Sequence, residues 1–174
     1  MKRLIAAVML IVAFVAVWLF TNLNGQDALP DNTDIFTVKL TVNVSTLLDN
    51  FHLLDRNKHE LVPIDGVVFP PTYVEAFEGE SAFDVLLREM RNAGIHMAFR
   101  NTPAFNSAYI TAINNIYEFD AGPLSGWKYR VNDNFPGFGV SRHFVEPGDV
   151  IELLYTLDLG RDVNGFFEGE DDDD

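Results

Sequence analysis

The sequence predicts an α+β domain, a mixed sheet packed against one main helix and preceded by a single apolar N-terminal segment. Three stretches carry that prediction. Ile35 to Val44 alternates, with Phe36, Val38, Leu40, Val42 and Val44 on one face and Thr37, Lys39, Thr41 and Asn43 on the other, as a half-buried strand does. Ser81 then opens a segment whose Phe83, Leu86, Leu87 and Met90 fall at helical spacing. Trp127 to Val131 alternates again, and Val150 to Tyr155 supplies a closing strand, with Gly, Pro and Asn at the reversals between them.

Composition narrows the function. The 174 residues leave room for one domain and a membrane segment. Acids outnumber bases 26 to 12, for a net charge of -14. A phosphate backbone needs clustered Lys and Arg, so nucleic acid is excluded as a partner. There is no cysteine, which rules out disulfides, thiolate catalysis and lipid attachment at a lipoprotein cysteine.

Met1-Lys2-Arg3 is followed by Leu4 to Phe20 without a charge. At ~1.5 Å per residue this stretch spans about 25 Å, slightly short of a hydrocarbon core, which Thr21 and Asn22 can extend. The residues after Phe20, TNLNGQDALP, offer no A-x-A cleavage site. Residues 1–21 therefore read as an uncleaved signal anchor, a single-pass transmembrane helix with Lys2 and Arg3 in the cytoplasm and the domain on the extracellular side. Were the anchor cut, the domain would be secreted. Residues 22–34 read as a flexible tether, residues 35–162 as the domain, and residues 163–174 as a disordered acidic tail.

Within the domain, Ser45 is placed to cap a short helix carrying Leu47, Leu48, Phe51 and Leu54. Asp65-Gly66 marks a turn, and Pro70-Pro71 precedes a short strand, Tyr73 to Phe77. Ser81 with Asp84 three residues on is a short-armed capping box, and Gly94 is placed to stop the helix. A strand is expected over Ile95 to Phe99 and a loop over Asn101 to Ser107. Tyr109 to Ile113 and Ile116 to Phe119 flank Asn114-Asn115, the two-residue connection of a type I′ hairpin. Strand, crossing stretch, strand, helix and further strands is the order of a β-grasp.

No catalytic constellation appears, and an enzyme is not expected. Ser81, Ser125 and Ser141 lack a nucleophile-elbow setting, and His52, His59, His96 and His143 have no metal or triad spacing. Asn132-Asp133-Asn134 and the Asp158, Asp162 pair carry oxygens but not the spacing of a calcium loop, and read as a hairpin turn and solvated acids. The aromatic residues carry the functional signal. Trp127 and Tyr129 share the core face of one strand. Phe135 and Phe138 sit in FPGFG, a stretch that is neither helix nor central strand, as rings of a binding loop or of a packed turn. Tyr109, Tyr117 and Arg142 are placed on the same edge. The candidate ligand-binding residues are Trp127, Tyr129, Phe135, Phe138, Tyr109 and Arg142, with no catalytic residue and no metal ligand.

LSGWKYRVND followed by EPGDVIELLYTLDLG, with NSAYITAINNIYEFDAG and EGESAFDVLLREM upstream, resembles the transcobalamin-like C-terminal domain family of bacterial surface proteins. The likeness runs from about Phe36 to Asp162. Vertebrate relatives use a β-rich domain of this kind to close over cobalamin. The resemblance therefore implies a β-grasp-like module, a corrinoid (cobalamin-like) or other small flat ligand, no firm cofactor, and a membrane transporter or surface protein as partner. Its matching positions are the strand beginning at Trp127 and the loop after it. The alternative expectation is a cell-surface protein-interaction or adhesion module without a small-molecule ligand.

Overall fold

The computed structural model describes residues 34–102 and 107–165. The anchor, most of the tether, the centre of the Asn101–Ser107 loop and residues 166–174 of the acidic tail lie outside the described residues. Among those described, no helix is long and apolar enough to cross a membrane.

The strand β1 (Ile35–Asn43) is central, and its alternation holds except that Thr41 on the other face is buried too and Phe36 only partly so. Val38, Leu40 and Val42, with Val44 just beyond, are fully buried. Each such side chain contributes on the order of 2 kcal/mol. On one flank β1 pairs antiparallel with β2 (Val67–Phe77), on the other parallel with the last strand, β7 (Val150–Thr156). β6 (Gly126–Val131) lies antiparallel on β7, giving the order β2-β1-β7-β6. A parallel central pair cannot be joined by a tight hairpin. The chain between β1 and β7 is that crossover, and it contains the helix α1 (Ala82–Asn92).

Four expectations are corrected. β2 begins at Val67 rather than Tyr73 and runs through Pro70-Pro71. It can do so because it is an edge strand; Leu40 pairs with Thr72 and Val42 with Phe69, so the two prolines bulge opposite the single Thr41. Ser45 caps no helix: Ser45–Leu47, Phe51–Leu53 and Arg56–Leu61 are separate 3-10 turns. The Asn43 side chain takes the Ser45 amide at 2.7 Å and the Thr46 hydroxyl donates to the Tyr155 carbonyl at 2.6 Å, which holds the first turn down before a longer helix can develop. β3 is Met97–Thr102, later than expected, because the Ile95 amide still closes the helix exit on the Met90 carbonyl at 2.8 Å. Thr102 remains paired, opposite Ser107.

The fourth correction concerns the sheet. β3, β4 (Ser107–Ile113) and β5 (Ile116–Tyr117) form a second, antiparallel sheet in the order β3-β4-β5 instead of joining the first. Asn114 and Asn115 have φ of 52° and 59°, the left-handed pair of a type I′ hairpin. Between β5 and β6 a side chain, not a strand ladder, makes the link: the Trp127 indole N–H donates to the Ile116 carbonyl at 3.0 Å. One core joins both sheets to the helix, through Ala82, Phe83, Val85, Leu86 and Met90.

The helix entrance is pinned twice. Ser81 Oγ accepts the Asp84 amide at 3.2 Å while the Asp84 carboxylate accepts the Ser81 amide at 3.0 Å, the reciprocal capping box. The Ala82 amide also donates to the His143 carbonyl at 2.8 Å and the Val145 amide to the Glu80 carbonyl at 3.0 Å. The helix start thereby holds the C-terminal end of the aromatic loop.

Candidate ligand-binding site

β6 ends in a tight reversal. Asn132 and Asp133 have φ of 51° and 64°, and Val131 and Asn134 exchange backbone bonds at 2.9 and 3.0 Å. The Asn132 amide group donates to the Asp149 carboxylate at 2.7 Å, and its oxygen accepts the Val150 amide at 2.9 Å. Asp158 bonds Arg161, and Asp162 takes the Thr156 hydroxyl and the Leu157 amide. These oxygens serve the fold. Among the described residues no three His, Cys, Asp or Glu side chains gather where they could hold a metal.

From Phe135 the chain leaves the sheet and lies over its neighbour. Gly139 passes so close to β4 that a β-carbon there would stand 2.7 Å from Ser107 Cβ. Only glycine fits that approach. Beside it the Ala108 amide donates to Ser141 Oγ at 2.8 Å, and the Tyr129 hydroxyl donates to the Phe138 carbonyl at 2.8 Å. The loop is thus tied to both β4 and β6.

Between β4, β6 and this loop lies a cavity of about 470 Å³. Trp127, Tyr129, Phe135, Phe138, Tyr109 and Arg142 all line it. They come from three separate stretches, and the fold brings all six together. Trp127 is the buried floor, edge-on to Tyr155 at 5.2 Å between ring centroids. Tyr129 is half-buried beside it. Phe135 packs on Gly165, where a β-carbon would come within 2.6 Å of its ring. Phe138 is 43% exposed, stacked on His143 with 14° between the planes. The Arg142 guanidinium carbon lies 5.7 Å from the Phe138 ring centroid.

Tyr109 forms the facing wall. Its ring lies 4.4 Å from the Arg100 guanidinium, which donates to Glu118 at 3.0 Å. Burial, with the hydrogen bonding and charge of Glu118, pushes the Tyr109 phenol up to about 12 against the opposing pull of Arg100. Burial also raises Tyr129, with Arg142 opposing, and raises Tyr155. Tyr117 does not reach the cavity. Its ring faces His96 at 5.9 Å and Lys58 Nζ at 5.0 Å.

Sequence reading missed Arg100 and His143. Arg100 stands opposite Tyr109 across the β3–β4 ladder, a juxtaposition that the ladder's register could have supplied had the strand not been ended at Phe99. His143 is adjacent to Arg142, but nothing in its spacing marks it as the residue stacked on Phe138.

Residues 79–156 match the model of DUF4430, described as a domain of unknown function. Among solved structures, haptocorrin in complex with Cbi aligns with a TM-score of 0.51 at 15% identity, over 72% of this chain and 26% of that one. The fold is transcobalamin-like. The likeness to haptocorrin is one of fold, and the chain spans about a quarter of haptocorrin's length. A Ruminococcus gnavus ATCC 29149 protein whose description suggests metal binding aligns with a TM-score of 0.42 at 13% identity, over 70% of this chain and 96% of that one. No curated protein matches the chain.

Proposed function

We propose that the chain is a non-enzymatic binding module whose cavity takes a flat small molecule, in the first instance a corrinoid. One observation carries the reading: six residues from β4, β6 and the loop from Phe135 to Arg142 converge on a single concave, aromatic-walled space. A volume of about 470 Å³ lies within the range of roughly 300–1,000 Å³ typical of small-molecule sites. Trp127 offers a buried apolar floor, and Phe138 is exposed at the rim. A ring larger than the cavity enters by one edge, with Phe138 against the part left outside. The fold shared with haptocorrin, which was solved with Cbi, supports this choice of ligand.

In this reading residues 1–21 anchor the module on the outer face of the cell membrane, where it passes its ligand to a transporter. Protease added to intact cells should then remove the domain; full protection would place it on the cytoplasmic side.

Thermal melts of the full-length chain with cobinamide and with cobalamin test the binding. A ligand at about 100 times its Kd stabilises the fold by ~2.7 kcal/mol, a rise of several degrees. Phe138→Ala should abolish that rise while leaving the ligand-free Tm within about a degree of wild type, since a partly exposed ring contributes little to the core. No shift at millimolar corrinoid would contradict the proposal.

A second reading has its own observation. β2 is an edge strand, and Tyr73 on it and Phe144 after the aromatic loop are 74% and 66% exposed. A surface protein or adhesion partner pairing with that edge would protect β2 amides from exchange and leave Trp127 unaffected.

A further inference from the structure

We propose that the cavity selects an anionic ligand, a flat apolar body bearing an oxyanion group that pairs with Arg142. This rests on the reading of the cavity as a ligand site and adds the chemistry that the ligand must carry.

The lining contradicts the rest of the molecule. In a chain with 26 acids and 12 bases, the charged residues that line the cavity among the described residues are all basic: Arg100, Lys128 and Arg142. The three cations are not equivalent. Arg100 is balanced by Glu118 at 3.0 Å, and Lys128 has a partner of its own. Arg142 has no carboxylate within ion-pair distance among the described residues.

Arg142 is also held where a ligand would meet it. It is the last residue of the short turn Val140–Arg142, whose Ser141 hydroxyl is bonded to β4. Its guanidinium stands beside the exposed Phe138 ring. A planar guanidinium keeps a fork of donors free while its face rests near a ring, and that fork matches an oxyanion bidentately. Neither phenol opposes an anion, because Tyr109 stays protonated up to about 12 and Tyr129 is shifted in the same direction. The chain's overall negative field is screened beyond ~8 Å at physiological ionic strength, so the local cation decides.

The test uses two naphthyl probes of one skeleton, anilinonaphthalene sulfonate, which carries an oxyanion, and N-phenylnaphthylamine, which does not. In full-length Trp18→Phe the sole remaining tryptophan is Trp127, so energy transfer shows a probe bound on its domain, and the part of that transfer lost in Phe138→Ala reports occupancy of this cavity. The sulfonate should bind about tenfold more tightly than the neutral probe, as a charge-assisted pair implies. Arg142→Gln should bring that ratio close to one, and Arg142→Lys should restore part of it. A ratio near one in the wild-type cavity, or a ratio that Arg142→Gln leaves intact, would overturn the anion assignment while the ligand reading stands. If neither probe accepts energy from Trp127, the ligand reading falls and the anion assignment falls with it.

Discussion

At the scale of single residues, the phenols give the clearest prediction. Tyr109 is held protonated up to about 12, and Tyr129 and Tyr155 are raised by the same cause, burial. In the unfolded chain these groups ionise near ~10. Between the two values the unfolded chain binds fewer protons than the folded one. Their contribution is therefore complete below pH ~10 and is lost as pH rises through the folded value. The Tm should fall steadily between pH 10 and 12, with a shallower slope in Tyr109→Phe. A flat Tm over that interval would show that the rings are not buried as described. Trp127 and Tyr129 were legible as a pair because strand alternation puts them on one face. Arg100 was not, because its place beside Tyr109 depends on the register of two strands.

The secondary elements show where local chemistry suffices and where it does not. Ser81, Asp84, Gly94 and the Asn114-Asn115 turn act through their own backbone neighbours, and each does what its residue type predicts. Removing the cap with Ser81→Ala should cost about 1 kcal/mol, read as a lower urea midpoint. The aromatic loop depends on distant contacts. Gly139→Ala sets a β-carbon against Ser107 and should destabilise the domain by roughly 1–3 kcal/mol. Ser107→Gly in the same chain should recover part of that loss, whereas an unchanged midpoint in Gly139→Ala alone would mean that the loop does not lie on β4. The closeness of Gly139 and Ser107 has no local signature, since 32 positions separate them. The 3-10 turns after Ser45 were misread for the same reason: Thr46 is tied to Tyr155, far along the chain.

For the whole molecule, a mixed sheet with one main packed helix was legible because burial demands a partner for every apolar face, whereas the strand order β2-β1-β7-β6 came only from the structure. The second sheet was not. Across the gap between the sheets the Trp127 indole donates to the Ile116 carbonyl, a tertiary contact with no local signature. That same separation opens the cavity. With both sheets joined edge to edge, Tyr109 on β4 would lie in a continuous surface with β6 instead of facing it under the loop. The cavity is in this sense a product of topology: the six residues are separate in the sequence and meet only in the fold.

The measurement that bears most directly on the cavity is the fluorescence of Trp127 in full-length Trp18→Phe during titration with cobalamin, whose phosphodiester supplies an oxyanion, with Phe138→Ala run alongside. Saturable quenching that Phe138→Ala removes is the predicted result. Quenching that rises linearly without saturation, or that persists unchanged in Phe138→Ala, would contradict the cavity as the site.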